Sequence, residues 1–154
     1  MTSSKMQDIP ISILNLQGDG YHILLEIEIF GKQFNMVLDT GASQTVFDRD
    51  TLVQSGIDQA RFKTTNILST GLGTNNMESH ILVLPYLKID KWQQKNVQVA
   101  VLDLSTINYA YEQMNLPKVI GVLGSDIFVR YGAVINYKKK TLRLNSIKRR
   151  KTEE

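Results

Sequence analysis

The chain has 154 residues, 42% of them hydrophobic and 21% charged, with no cysteine and a formal charge of +3. That length suits one domain with a core of its own, and the composition is that of an ordinary globular protein. The lack of cysteine excludes disulfides, thiolate zinc sites and a cysteine nucleophile.

Taken in order, Met1 to Pro10 is polar and has no apolar stretch ahead of a cleavage site, so no signal peptide is read there. Ile9 to Leu16 reads as a first strand and Gln17 to Gly20 as a turn. His22 to Phe30 alternates, with Glu26 and Glu28 on one face and Leu25, Ile27 and Ile29 on the other. A Gly31-Lys32 hairpin then leads into Phe34 to Leu38. Phe47 to Gly56 predicts a short helical turn closed by its glycine. Arg61 to Leu68 is extended, Ser69 to Asn76 is a Gly-rich hairpin tip, and His80 to Ile89 and Val97 to Leu102 are strands.

Ile107, Ala110, Tyr111 and Met114 recur at helical spacing, with Ser105 as the expected cap and Pro117 just past the end. This helix, 105–115, either packs outside a barrel or walls one side of a cleft. Ser125 to Arg130 predicts a further short helix, and Ala133 to Tyr137 and Thr141 to Leu144 a closing hairpin around Lys138-Lys139-Lys140. Residues 138–154 hold eight Lys or Arg against two acids, which leaves the remainder at −3. A domain over 1–147 with a charged tail at 148–154 follows, the tail being a solvated run rather than a nucleic-acid or membrane contact.

Chemistry centres on Phe34 to Phe47, where an apolar strand runs into Asp39 and then into Thr40, Gly41, Ala42 and Ser43 before a second apolar run. An acid at an interior turn is costly unless hydrogen-bonded, Thr40 offers a hydroxyl, and Gly41 permits backbone conformations that other residues resist. Metal chemistry is not expected: His22 and His80 are the only histidines, neither stands at ligand spacing from an acidic cluster, and both read as strand-edge or surface imidazoles. Gly71-Leu72-Gly73 lacks the third glycine and following helix of a phosphate loop, which leaves a plain turn or a mobile hairpin. Asp126 stands at a helix start, where the helix dipole favours an acid.

The Asp39-Thr40-Gly41-Ala42-Ser43 stretch between apolar strands, the Ser69 to Asn76 hairpin, and Val122-Leu123-Gly124 before a short helix together resemble the retropepsin-like aspartic proteases, over about Tyr21 to Leu144. The resemblance implies a mostly β fold, a retropepsin-like closed β-barrel (the acid protease fold) with one inserted helix and a short helix in the C-terminal half. It implies Asp39 as the catalytic carboxylate, with Thr40 and Gly41 in support and Thr40 tying two catalytic loops across a dimer. Substrate contacts would come from Ala42, Ser43 and the flap residues Thr70, Gly71, Leu72 and Gly73, while Val122, Leu123 and Gly124 thread beside the catalytic loop. The chain departs from the retroviral pattern where an ion pair braces the loops, since Ser43 and Ser125 stand in those two places.

Aspartic proteolysis needs two carboxylates sharing one proton, and the chain has a single Asp-Thr-Gly, so a homodimer is the expected unit. Hydrolysis of peptides or proteins without a cofactor, in the cytoplasm, is the leading expectation. The alternative is a catalytically silent dimerisation or peptide-binding module on the same barrel. A serine hydrolase is disfavoured because no Gly-x-Ser-x-Gly is present.

Overall fold

The computed structural model describes residues 6–65 and 79–146. Strand β1 (Met6–Pro10) is followed after one residue by β2 (Ser12–Asn15), then β3 (Tyr21–Ile29), β4 (Lys32–Leu38) and β5 (Val46–Asp48). Helix α1 (Arg49–Gln54) and a 3-10 turn at Gln59–Arg61 lead to β6 (Lys63–Thr65). Then come β7 (Ser79–Ile89), β8 (Trp92–Leu102), α2 (Ser105–Gln113), β9 (Gly121–Leu123), α3 (Ser125–Arg130), β10 (Val134–Asn136) and β11 (Thr141–Asn145).

Eight strands form one sheet in the order β2-β3-β4-β9-β5-β8-β7-β6, and a β3 to β7 pairing at Glu28 and Lys88 closes six of them into a barrel. The fold is therefore the mostly β closed barrel expected. A separate sheet, β1-β11-β10, pairs Met6 with Asn145 and Pro10 with Thr141. The single first strand expected at Ile9 to Leu16 is in fact two. Ile11, buried and donating its N–H to the Lys140 carbonyl at 3.1 Å, passes the chain from one sheet to the other.

Alternation along β3 sends Leu25, Ile27 and Ile29 into the barrel, where they join Met36, Leu38, Phe47, Leu82, Trp92 and Leu123. Removing such side chains from water is the main favourable term in folding, about 1.5–3 kcal/mol for each large one. The turn from β3 to β4 is Phe30-Gly31, one residue earlier than expected, with φ of 50° and 75°. Two consecutive left-handed residues are what a type I′ hairpin turn requires, and its twist matches that of the strands.

A second, smaller cluster lies outside the barrel. Leu24, Val37 and Val122 turn away from the core and are covered by Tyr111 of α2 together with Val119, with Ile107, Met114 and Ala42 packed around them. Helix α2 thus packs on the outer face of β3, β4 and β9. Ser105 does not cap it: Leu104 holds the cap position, and Asp103 accepts the Ser105 N–H at 2.9 Å, which holds its carboxyl below the usual range. An acid placed before the first turn satisfies an N–H that has no partner inside the helix.

Candidate active site

Strand β4 ends at Leu38, and Asp39 donates its N–H to the Leu123 carbonyl at 3.0 Å, which fastens the start of the loop to β9. The chain then turns, with Ala42 N–H bonded to the Asp39 carbonyl at 3.1 Å and Gly41 N–H donated to Asp39 Oδ1 at 2.9 Å. A carboxylate that accepts a backbone N–H two residues ahead is an Asx turn, which fixes the side chain without burying it. Asp39, Thr40, Gly41 and Ser43 are exposed and Ala42 is half-buried, so the interior carboxylate expected at Asp39 is not found in the single chain. The turn projects the acid outward from the barrel end.

Among the described residues the buried acid is Asp48, 3% exposed. Its carboxylate takes the Thr51 N–H at 3.1 Å, the Thr51 hydroxyl at 2.5 Å and the Leu104 N–H at 2.8 Å, so three donors offset its desolvation and join α1 to the segment before α2. Gly41 also differs from expectation. Its φ lies outside the left-handed region, and a methyl group there would meet Asp39 Oδ1 at an ordinary 3.4 Å.

The second motif lies directly beside this loop. Parallel pairing sets Val37 against Val122 and Leu38 against Leu123, and the Ser125 N–H is donated to the Ala42 carbonyl at 2.8 Å. Val122 and Leu123 are buried scaffold, whereas the Gly124 N–H is donated to Thr45 Oγ1 at 3.0 Å. Thr45, fully buried, donates its hydroxyl to Asp126 Oδ1 at 2.7 Å and its N–H to Asp126 Oδ2 at 3.0 Å. Where Ser43 and Ser125 supply no ion pair, Thr45 and Asp126 lace the two loops within one chain. Asp126 therefore does more than complement a helix start. The sequence held no signal for Thr45, because its partner is 81 residues away.

Of the residues expected to form the site, Asp39 to Ser43 and Val122 to Gly124 are brought together, and Thr70, Gly71, Leu72 and Gly73 lie outside the described residues. The basic run Lys148 to Lys151 lies outside them as well. Among the described residues no cluster of His, Asp and Glu could hold a metal ion, and no helix is long and apolar enough to cross a membrane.

Tyr111, 2% exposed, reaches from α2 to the β3 end and is hydrogen-bonded to His22 Nδ1 at 2.6 Å. Burial first, and then the Asp39 charge, push its phenol up to about 12. The neutral form is thus favoured in the folded state, while an unfolded tyrosine ionises near pH 10. Between about pH 10 and 12 the unfolded state has released a proton that the folded state keeps, so stability falls with rising pH across that window. Urea midpoints measured from pH 9 to 12 are expected to decline less steeply in Tyr111→Phe than in wild type. Parallel curves would mean that Tyr111 ionises equally in both states.

A six-strand barrel whose parallel β4 and β9 present an Asp-Thr-Gly turn defines the aspartic protease class. The chain belongs to the aspartyl protease family, whose family model matches residues 25–127. Its fold is similar to a retropepsin-like aspartic protease from Rickettsia conorii, at 24% identity and TM-score 0.60, covering 94% of this chain and 95% of that one. The retroviral protease-like domain of Ddi1 from Leishmania major is similar at 13% identity and TM-score 0.58, covering 80% and 88%. The EIAV protease, solved with the inhibitor HBY-793, is similar at 20% identity and TM-score 0.51, covering 83% and 92%. A search of curated proteins found no match.

Proposed function

We propose that the chain is an aspartic endopeptidase that works as a two-fold homodimer, with Asp39 of each protomer flanking one water. The observation that carries this is the pose of Asp39, exposed at a strand end with its Oδ1 fixed by the Gly41 N–H. Family membership over residues 25–127 supports the reaction class.

The chemistry explains why one chain does not suffice. Two carboxylates about 3 Å apart at an effective dielectric of about 20 repel by roughly 5 kcal/mol when both are charged. At 1.36 kcal/mol per unit that is on the order of four pKa units, so the pair holds one proton. The ionised member takes a proton from water as it attacks the amide carbon, and the protonated member donates to the carbonyl oxygen. Among the described residues, Asp39 lines neither the cleft of about 720 Å³ between α1 and α2 nor the one of about 440 Å³ beside β2 and β3. A second copy would supply the second acid and add cover over the carboxylate that is exposed among the described residues.

The test is to refold wild-type and Asp39→Asn chains together in varied ratio, with different tags that confirm mixed pairs. If each site needs two Asp39 side chains, peptide hydrolysis per total chain follows the square of the wild-type fraction. A straight line with mixed pairs present would mean that one carboxylate suffices, and absence of hydrolysis in pure wild-type dimer would leave a silent binding module.

A further inference from the structure

Helix α2 and the pair it forms with His22 have no part in the chemistry above, yet the strand geometry points them at the same place. The β3 to β4 ladder ends at Ile23 and Leu38, so His22 is the first residue beyond it on one strand and Asp39 the first beyond it on the other. Side chains alternate across a strand, so His22 shares a face with Leu24, and Asp39 shares one with Val37. Leu24 and Val37 are register partners, and both lie in the outer cluster that Tyr111 covers. His22, Leu24, Val37 and Asp39 therefore form one row, with Tyr111 seated on its middle and hydrogen-bonded to its His22 end. Ala42, three residues past Asp39, packs against the same cluster.

We propose that Tyr111 and His22 act as one positioning pair that couples helix α2, packed on the outer face of the barrel, to the Asp39 loop. The proposal rests on Asp39 being the catalytic carboxylate. Tyr111 is too deeply buried to touch substrate, so its effect passes through the loop it supports. The hydroxyl anchors the ring within the cluster that contains Val37 and against which Ala42 packs, and these two residues flank the Asp39 turn on both sides. The raised ionisation of Tyr111 agrees with this placement, since Asp39 contributes to it. A displacement of about 1 Å at a reacting group can cost on the order of 100-fold in rate, even when the change is made at a distance.

The experiment measures kcat and KM for a peptide that the wild-type dimer cleaves, in Tyr111→Phe, His22→Leu, His22→Asn and the Tyr111→Phe/His22→Leu double variant. Tyr111→Phe and His22→Leu are each expected to lower kcat by about 10- to 100-fold with KM within about 2-fold, and the double variant to fall no further than either single one. His22→Asn puts a polar atom where Nδ1 stood and is expected to keep most of the wild-type rate. Tyr109→Phe, on the exposed side of α2, is expected to change nothing. Melting temperatures show that the variants are folded at the assay temperature. Wild-type kcat in folded Tyr111→Phe overturns the proposal while leaving the peptidase reading intact, and so does a double variant whose losses simply multiply. Wild-type dimer that cleaves no peptide overturns both.

Discussion

Asp39→Asn is expected to lower peptide hydrolysis by at least about 1,000-fold without unfolding the chain. A positioned general acid or base contributes roughly 10²- to 10⁴-fold, and in the proposed homodimer one substitution would change that group in both halves of the site at once. The fold survives for a reason visible in the loop. The interaction that shapes the turn is Gly41 N–H to Asp39 Oδ1, and an asparagine oxygen accepts the same bond. The remaining ties, Asp39 N–H to the Leu123 carbonyl and Ala42 N–H to the Asp39 carbonyl, are backbone and do not depend on the side chain. Circular dichroism and melting temperature are therefore expected to be unchanged within a few degrees. Hydrolysis above a few per cent of wild type in a folded variant would remove Asp39 from the mechanism.

The largest structural effect is expected at a glycine outside the Asp-Thr-Gly sequence. Gly121 sits where β9 passes between β4 and β5, opposite Phe47. A methyl group there would lie on the Val46 carbonyl oxygen, with Val46 C at 3.1 Å and Phe47 Cα at 3.0 Å, all backbone atoms. Backbone in a barrel wall cannot swing aside as a side chain can, so Gly121→Ala is expected to cost about 3 kcal/mol or more, the upper end for overpacking. At this chain length that is on the order of 6–12 °C in Tm. Gly124→Ala is expected to cost less, since its methyl would meet the Gln44 and Ala42 carbonyl oxygens at 2.7 and 2.8 Å. Gly41→Ala, in ordinary contact, is expected to cost least. Thermal melts of the three variants test the order, and a Gly41→Ala chain less stable than Gly121→Ala would contradict it.

That ranking marks where the sequence was legible. Period-two alternation found β3 and its inward Leu25, Ile27 and Ile29, because each residue reports its own face. The short helix at Ser125 to Arg130 has the expected bounds, and the barrel follows from the motifs that frame it. What failed depends on partners distant in sequence. Apolar residues before Asp39 suggested an interior acid, but they line the barrel wall, and the turn then leaves it. Asp48 carries no such mark, because nothing nearby in sequence announces the Leu104 N–H, 56 residues on. Helical spacing marks Tyr111 as one apolar position on a helix face, which is correct for its ring and silent about its hydroxyl. Its partner His22 lies 89 residues earlier. Gly121 carries no local signal because the need for it comes from β5 pairing closely beside β9, a matter of topology rather than of local conformation.

The pairing of β1 with β11 has a consequence for how such a barrel can be carried by another polypeptide. Antiparallel strands that set Met6 opposite Asn145 bring the described chain in and out through one doorway, with the two backbones about 5 Å apart. Everything between, including the Asp39 turn at the barrel end, is a single excursion from that point. A host protein could therefore hold the barrel within one of its own surface loops without stretching the loop's ends apart. The β1-β11-β10 sheet would then form the stem of the insertion, leaving the host's own packing undisturbed.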